Sequence, residues 1–162
     1  MNIFFKQAML YCLTKSCYQK LLALSQSQTK RDYYALMNNE LKAQSSDIND
    51  CFFLLPNTRI SGQLGLADIY FADLWAWQLT FTYDYILGKY ALSFREFAAG
   101  QKLELNSRGK SYVYLGPNVI TNSYPKSLFD NELYLCPLQH GDILTIANKS
   151  LLFCCPENSN DT

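Results

Sequence analysis

The chain has 162 residues, about half of them apolar, with twelve tyrosines and ten phenylalanines. It can bury a real core, and only its ends have the composition of a disordered segment. Fourteen basic residues balance fourteen acidic ones, which argues against nucleic acid as the main partner, since phosphate binding wants a basic excess. No apolar run approaches the length of about eighteen residues that a membrane-spanning helix needs, so no transmembrane segment is predicted.

Residues 3 to 24 read as a helix. Phe5, Met9, Cys12, Leu13, Cys17, Leu21 and Leu24 recur at the three-to-four spacing of one helix face. Ser25 to Thr29 is polar and interrupts the pattern. Thr29 is placed to cap a second, shorter helix through Tyr33, Leu36, Met37 and Leu41, with Asp32 three positions on. This pair forms a helical segment over residues 1–46. From residue 47 the texture turns to strands. Cys51 to Leu55 is a short apolar run stopped by Pro56-Asn57. Ile69 to Tyr85 is the longest β signal: from Trp75 onward odd positions are apolar or aromatic, while Gln78, Thr80, Thr82 and Asp84 are polar. That pattern predicts a half-buried antiparallel strand with Trp75, Trp77, Leu79, Phe81 and Tyr83 on the core face.

Leu92 to Phe97 reads as a helical turn before Gly100. Ser107-Arg108-Gly109-Lys110 is a hairpin loop between strands at Leu103–Leu105 and Tyr112–Leu115. Leu133 to Phe153 then reads as a three-stranded meander. Gln139-His140-Gly141-Asp142 supplies turn chemistry, because Gly141 can take positive φ and the Asp142 side chain can bond nearby backbone. The β-rich domain spans 47–156, followed by a polar tail, 157–162. The predicted fold is α+β: an N-terminal helical pair packed on a mainly antiparallel sheet or small β-barrel.

Candidate chemistry is sparse. Six cysteines (Cys12, Cys17, Cys51, Cys136, Cys154 and Cys155) accompany one histidine, His140. The Ile3 to Leu13 run is broken by Lys6-Gln7 and has no secretory cleavage pattern. The compartment is therefore read as cytoplasmic, with thiols that mostly pack as small hydrophobes. Cys136 with His140 and Cys154-Cys155 lacks the second chelating pair of a zinc site. Cys51 or Cys136 with His140 lacks the surroundings of a nucleophile. Asp68 with Asp73, and Glu96 with Glu104, read as solvated surface. No catalytic residue, metal site, cofactor or small-molecule substrate is assigned. Trp75 and Trp77 on one strand face could stack on a ligand, but core packing is the stronger reading.

Two family resemblances carry implications. Leu92 to Leu105, with Tyr112-Val113-Tyr114-Leu115-Gly116 and the echo Leu138-Gln139-His140-Gly141-Asp142-Ile143-Leu144-Thr145-Ile146, resembles the SpoA (surface presentation of antigens) modules of type III secretion and flagellar cytoplasmic-ring proteins. Gln101 stands where those modules usually carry an acid. This resemblance implies an oligomeric assembly component whose sheet edges dock other ring or stalk proteins. The same Leu138 to Ile146 stretch resembles the "L-x-x-GD-x-I-x-I" close of forkhead-associated domains, and Arg59-Ile60-Ser61 is similar to their central Arg/Ser loop. Gln63 and Leu64 stand where that family's histidine is expected, and a helical segment takes the place of its first strands. That resemblance implies a degenerate docking module.

The function read from the sequence is thus non-enzymatic: protein–protein interaction or assembly, with another protein chain as partner. An inhibitor or immunity protein neutralising a toxin is the alternative. Tyr112, Tyr114, Leu151, Leu152 and Phe153 are the candidate partner-binding residues. Leu151-Leu152-Phe153 puts apolar side chains on both faces of a strand, and a bare edge strand of that kind invites pairing.

Overall fold

The computed structural model describes residues 5–44, 51–74, 78–95, 102–115, 118–121, 133–146 and 148–156. The chain opens on a strand, β1 (Ala8–Cys12), not on a helix. Its apolar residues point both ways because both faces are covered. Ala8 and Leu10 enter one apolar cluster, while Tyr11 packs against another. A strand apolar on both sides presents the same spacing as a helix face, which is why the periodicity misled.

Helix α1 (Lys15–Ser27) starts where Thr14 takes an extended conformation and its side chain accepts from the Cys17 amide at 3.2 Å. Helix α2 (Lys30–Gln44) starts at Thr29, whose hydroxyl accepts from Asp32 N at 3.3 Å. At its far end Gln44 clamps the entry to α1. Its Oε1 accepts from Thr14 N at 3.1 Å and its Nε2 donates to the Cys12 carbonyl at 3.2 Å.

Two mostly antiparallel sheets follow, so the fold is α+β. The remaining strands are β2 (Cys51–Leu54), β3 (Thr58–Ser61), β4 (Ile69–Tyr70), β5 (Gln78–Asp84), β6 (Lys89–Arg95), β7 (Lys102–Ser107), β8 (Lys110–Leu115), β9 (Asn118–Thr121), β10 (Leu133–Pro137), β11 (Ile143–Ile146) and β12 (Lys149–Cys154). The first sheet runs β2-β1-β12-β11-β7-β8-β9 and the second β10-β6-β5-β3-β4. Among the described residues only the β3–β4 pair is parallel. The 1–46 segment therefore gives the first sheet a strand as well as supplying two helices.

Several local expectations change. Lys89–Arg95 is a full strand, not a helical turn at Leu92. It pairs on both sides, with β5 and with β10, and its positions 90, 92 and 94 are buried. The stretch from Leu133 is not a meander, because β10 joins β6 in the second sheet while β11 and β12 pair in the first. Along β5 the odd positions Leu79 and Phe81 are the buried ones. Trp75 and Trp77 lie outside the described residues. Arg108 and Gly109 both take positive φ in the β7–β8 turn, the backbone a two-residue hairpin requires.

The inner faces of the two sheets share one core. It includes Leu10, Leu79, Phe81, Leu92, Leu105, Leu144, Leu151 and Phe153, and Tyr90 meets Phe153 edge-on across the layers at 5.9 Å. The helices cover the outer face of the first sheet, where Cys17, Leu21, Tyr33 and Met37 meet Ile143, Leu152 and Cys154. Strand β12 thus alternates: Leu151 and Phe153 face the other sheet, Leu152 and Cys154 face the helices.

Leu152 is fully buried between sheet and helices. Leu152→Lys is expected to remove cooperative unfolding, because an unpaired ammonium in that site costs several kcal/mol, comparable with the whole stability of a domain. Thermal denaturation followed by circular dichroism checks this. A folded variant with a near-native melting temperature would show that the helix–sheet interface is not closed.

Candidate functional site

The expected edge strand is an inner strand. β12 pairs with β1 on one side and β11 on the other, and Leu151, Leu152 and Phe153 are all buried. These three residues are therefore core and present no docking edge. The physical reason is that β1, which the sequence pattern presents as helix, occupies the edge that β12 would otherwise leave open. Tyr112, on β8, is half-buried and packs against the inter-sheet core. Tyr114 lies on the same strand, opposite Leu103 of β7 and Val119 of β9.

The turn before β11 gathers the polar residues the sequence singles out, and their roles are structural. Gly141 has φ +90°, and a β-carbon there would fall 2.8 Å from Tyr33 Cε2. Only glycine suits that position. The Gly141 carbonyl accepts from the Tyr33 hydroxyl at 2.7 Å, and the Gly141 amide donates to the Phe153 carbonyl at 2.8 Å. His140 Nδ1 accepts from the Cys155 amide at 3.0 Å, and its ring meets Tyr34 edge-on at 4.6 Å. That bond occupies the nitrogen which would face Cys155, while Cys136 is fully buried in the core.

Asp142 is also fully buried. Its Oδ2 accepts from the Gln139 amide at 2.8 Å, and among the described residues its Oδ1 has no hydrogen-bond partner. Burial pushes its carboxyl up to about 7, against the partial opposing effect of the Gln139 amide and the nearby Ser107 hydroxyl. Burial likewise pushes the Cys154 thiol up to about 12, which keeps it in the un-ionised, unreactive form. Cys17, Cys136, Cys154 and Cys155 are buried and Cys12 and Cys51 half-buried. Among the described residues no three His, Cys, Asp or Glu side chains come together. Asp68 is engaged with Arg59, and Glu104 with Lys102 at 3.5 Å. Glu96 lies outside the described residues.

The surface best suited to binding is the pair of sheet edges at β2 and β4, which sequence reasoning did not single out. Each strand ends its sheet and pairs with a single neighbour among the described residues. An open groove of about 700 Å³ is lined by Phe52, Phe53, Leu55, Pro56, Arg59 and Ile69, among others. Phe53 is 72% exposed, and Leu55, Leu64, Leu66 and Tyr70 are exposed as well. The sequence signal is available in Cys51-Phe52-Phe53-Leu54: four successive apolar residues in a strand cannot all face one core.

Arg59 and Ser61 belong to β3 beside this groove. Arg59 N donates to Asp68 Oδ2 at 2.8 Å, and its Nε stands 3.7 Å from the same oxygen. Ser61 is fully buried, and its hydroxyl accepts from Gln63 N at 3.1 Å. Both side chains serve the local structure.

The ionisation of Asp142 sets a pH dependence. Its folded-state value near 7 exceeds its ordinary 3.8, so the folded state holds the proton more tightly than the unfolded chain. The associated stability is fully present below about pH 4 and is lost as pH rises through about 7. Denaturant titrations of wild type and Asp142→Asn across that window are expected to diverge. The wild type loses roughly a few kcal/mol relative to the variant as pH rises. Parallel profiles would mean that the carboxylate is solvated in the folded state.

Compared with protein-family models, with curated proteins and with solved structures, the chain matches none.

Proposed function

We propose that this chain is a non-enzymatic docking module acting in the cytoplasm, which binds a segment of another protein along the open edges of β2 and β4. One observation carries this reading: among the described residues, β2 and β4 are sheet edges with a single neighbour each, they border a groove that displays Phe53 and Leu55 to solvent, and Tyr70 of β4 is exposed. An extended partner strand could add to β2 through main-chain hydrogen bonds and set an apolar side chain into the groove.

Of the two resemblances, the forkhead-associated one is the more strongly supported. The helical pair follows β1 instead of replacing the first strand, so a strand heads the described chain and the pair lies between β1 and β2. The Gly141-Asp142 motif leads directly into β11, and β12 follows it. Arg59 and Ser61 are engaged with Asp68 and Gln63, so recognition on this reading rests on apolar contacts and backbone pairing, not on a phosphate. On the secretion-ring reading, as on the inhibitor reading, the same edge would hold a ring protein or a toxin. On the ring reading the supporting stretch, Leu92 to Leu105, spans strands of two different sheets.

Phe53→Asp tests the proposal, since an exposed side chain can be changed without disturbing the core. Crosslinked co-purification from the native host is expected to recover a stoichiometric partner with the wild type. With the variant the partner should be lost, while the circular dichroism spectrum and melting temperature stay unchanged. A partner retained at wild-type levels by the folded variant would remove the β2 edge as the docking surface.

A further inference from the structure

The hairpin joining β5 to β6 carries the most exposed apolar side chain among the described residues, Ile86, at 95% exposure. Tyr85 and Leu87 on either side are also exposed. The turn is well built for so apolar a tip. Asp84 Oδ1 accepts from Ile86 N at 2.9 Å and from Leu87 N at 3.0 Å, and the Gly88 amide donates to the Asp84 carbonyl at 2.7 Å. Gly88 takes φ +65°. The amides of Ile86, Leu87 and Gly88 are therefore satisfied from within the turn. That lowers the cost of bringing the tip into a layer without water.

Beside this tip lies a pocket of about 480 Å³, with Leu87 and Gly88 in its wall. Lys6, Lys30, Lys89 and His140 also line it, and among its described lining residues none is acidic. The three lysines come from separate parts of the chain: the lead into β1, the start of α2 and the start of β6. Lys6 is fixed through its backbone: its amide donates to the Tyr83 hydroxyl at 3.1 Å, and its carbonyl accepts from the Tyr90 hydroxyl at 3.2 Å. The Lys30 ammonium stands 5.8 Å over the Tyr34 ring. Asp84, the carboxylate of the hairpin turn, is held by its two amides and stands opposite Lys89 in the ladder.

We propose that the Tyr85-Ile86-Leu87 tip and the lysine-lined pocket beside it dock this protein on an anionic membrane surface, the tip entering the apolar layer while the lysines face lipid phosphates. An exposed apolar projection next to a cluster of cations matches the two layers of such a surface, and a tyrosine suits the headgroup level between them. An acidic peptide would satisfy the lysines but leave Ile86 and Leu87 in water. This surface uses strands other than the β2 and β4 edges, so it stands or falls independently of the protein-docking reading.

Vesicle co-sedimentation tests it, with phosphatidylcholine alone and with phosphatidylcholine mixed with phosphatidylserine. The full chain is expected to bind the mixed vesicles, to bind the neutral ones far less, and to be released by high salt. Ile86→Asp and Lys89→Glu are each expected to weaken binding about tenfold or more. Phe53→Asp is expected to bind like wild type. Circular dichroism of the variants confirms that they are folded, which is expected because Ile86 and Lys89 are exposed. Failure of the wild type to bind mixed vesicles, or equal binding by folded wild type and Ile86→Asp, would overturn the proposal. Binding of soluble polyglutamate that depends on Lys89 but not on Ile86, without vesicle binding, would overturn it in favour of an acidic protein partner.

Discussion

The bond from the Tyr33 hydroxyl to the Gly141 carbonyl holds together the parts on which the rest of the structure depends. Tyr33 is a fully buried residue of α2, and Gly141 sits in the turn that feeds β11. The bond spans 108 residues of sequence and removes two polar groups that would otherwise be orphaned inside an apolar interface. Leaving either one unpaired would cost about 1–3 kcal/mol, a large fraction of the margin by which domains are stable. The same turn is tied to β12 twice more, through Gly141 N to the Phe153 carbonyl and through Phe153 N to the Asp142 carbonyl. Helix, turn and inner strand are thus fixed by one short stretch, and its glycine cannot be replaced without forcing a β-carbon into Tyr33.

How far the sequence discloses this architecture depends on how many faces of an element are covered. Strand β5 has one core face, so its alternation marks Leu79 and Phe81 directly as buried. Local chemistry is equally readable: Thr29 caps α2, and Arg108-Gly109 makes the β7–β8 turn. Strand β1 is covered on both faces, and its uniform apolarity is indistinguishable from a helix face. That single ambiguity has a long reach. With β1 counted as helix, β12 lacks a neighbour and Leu151-Leu152-Phe153 looks like an unprotected edge. With β1 in place, the same three residues become the seam between the core and the helical layer.

The split of Leu133 to Phe153 between two sheets is a different kind of limit. Nothing in Leu133–Pro137 itself says that it will pair with β6, 38 residues earlier in register at Leu133 and Arg95. Strand partnership across that separation is set by the whole packing, not by local pattern. The binding surface was hidden for a related reason. Phe53 and Ile86 are apolar and look like core in any count of composition, and only the backbone path leaves them outside.

Tyrosine is what lets this chain combine a dry core with anchored surfaces. Tyr90 is almost wholly buried; its ring packs against Phe153 and Tyr83, and its hydroxyl reaches the Lys6 and Leu54 carbonyls at 3.2 and 3.4 Å. Tyr83 is only partly buried: its ring meets those of Phe5, Tyr85 and Tyr90, while its hydroxyl accepts from Lys6 N. A phenylalanine at either place could fill the volume but would leave the lead into β1 without these bonds. Lys6 and the β5–β6 tip are therefore held by the same two side chains that close one end of the core. A surface built that way loses little freedom when it meets a partner, and a pre-ordered surface keeps more of its contact energy as affinity.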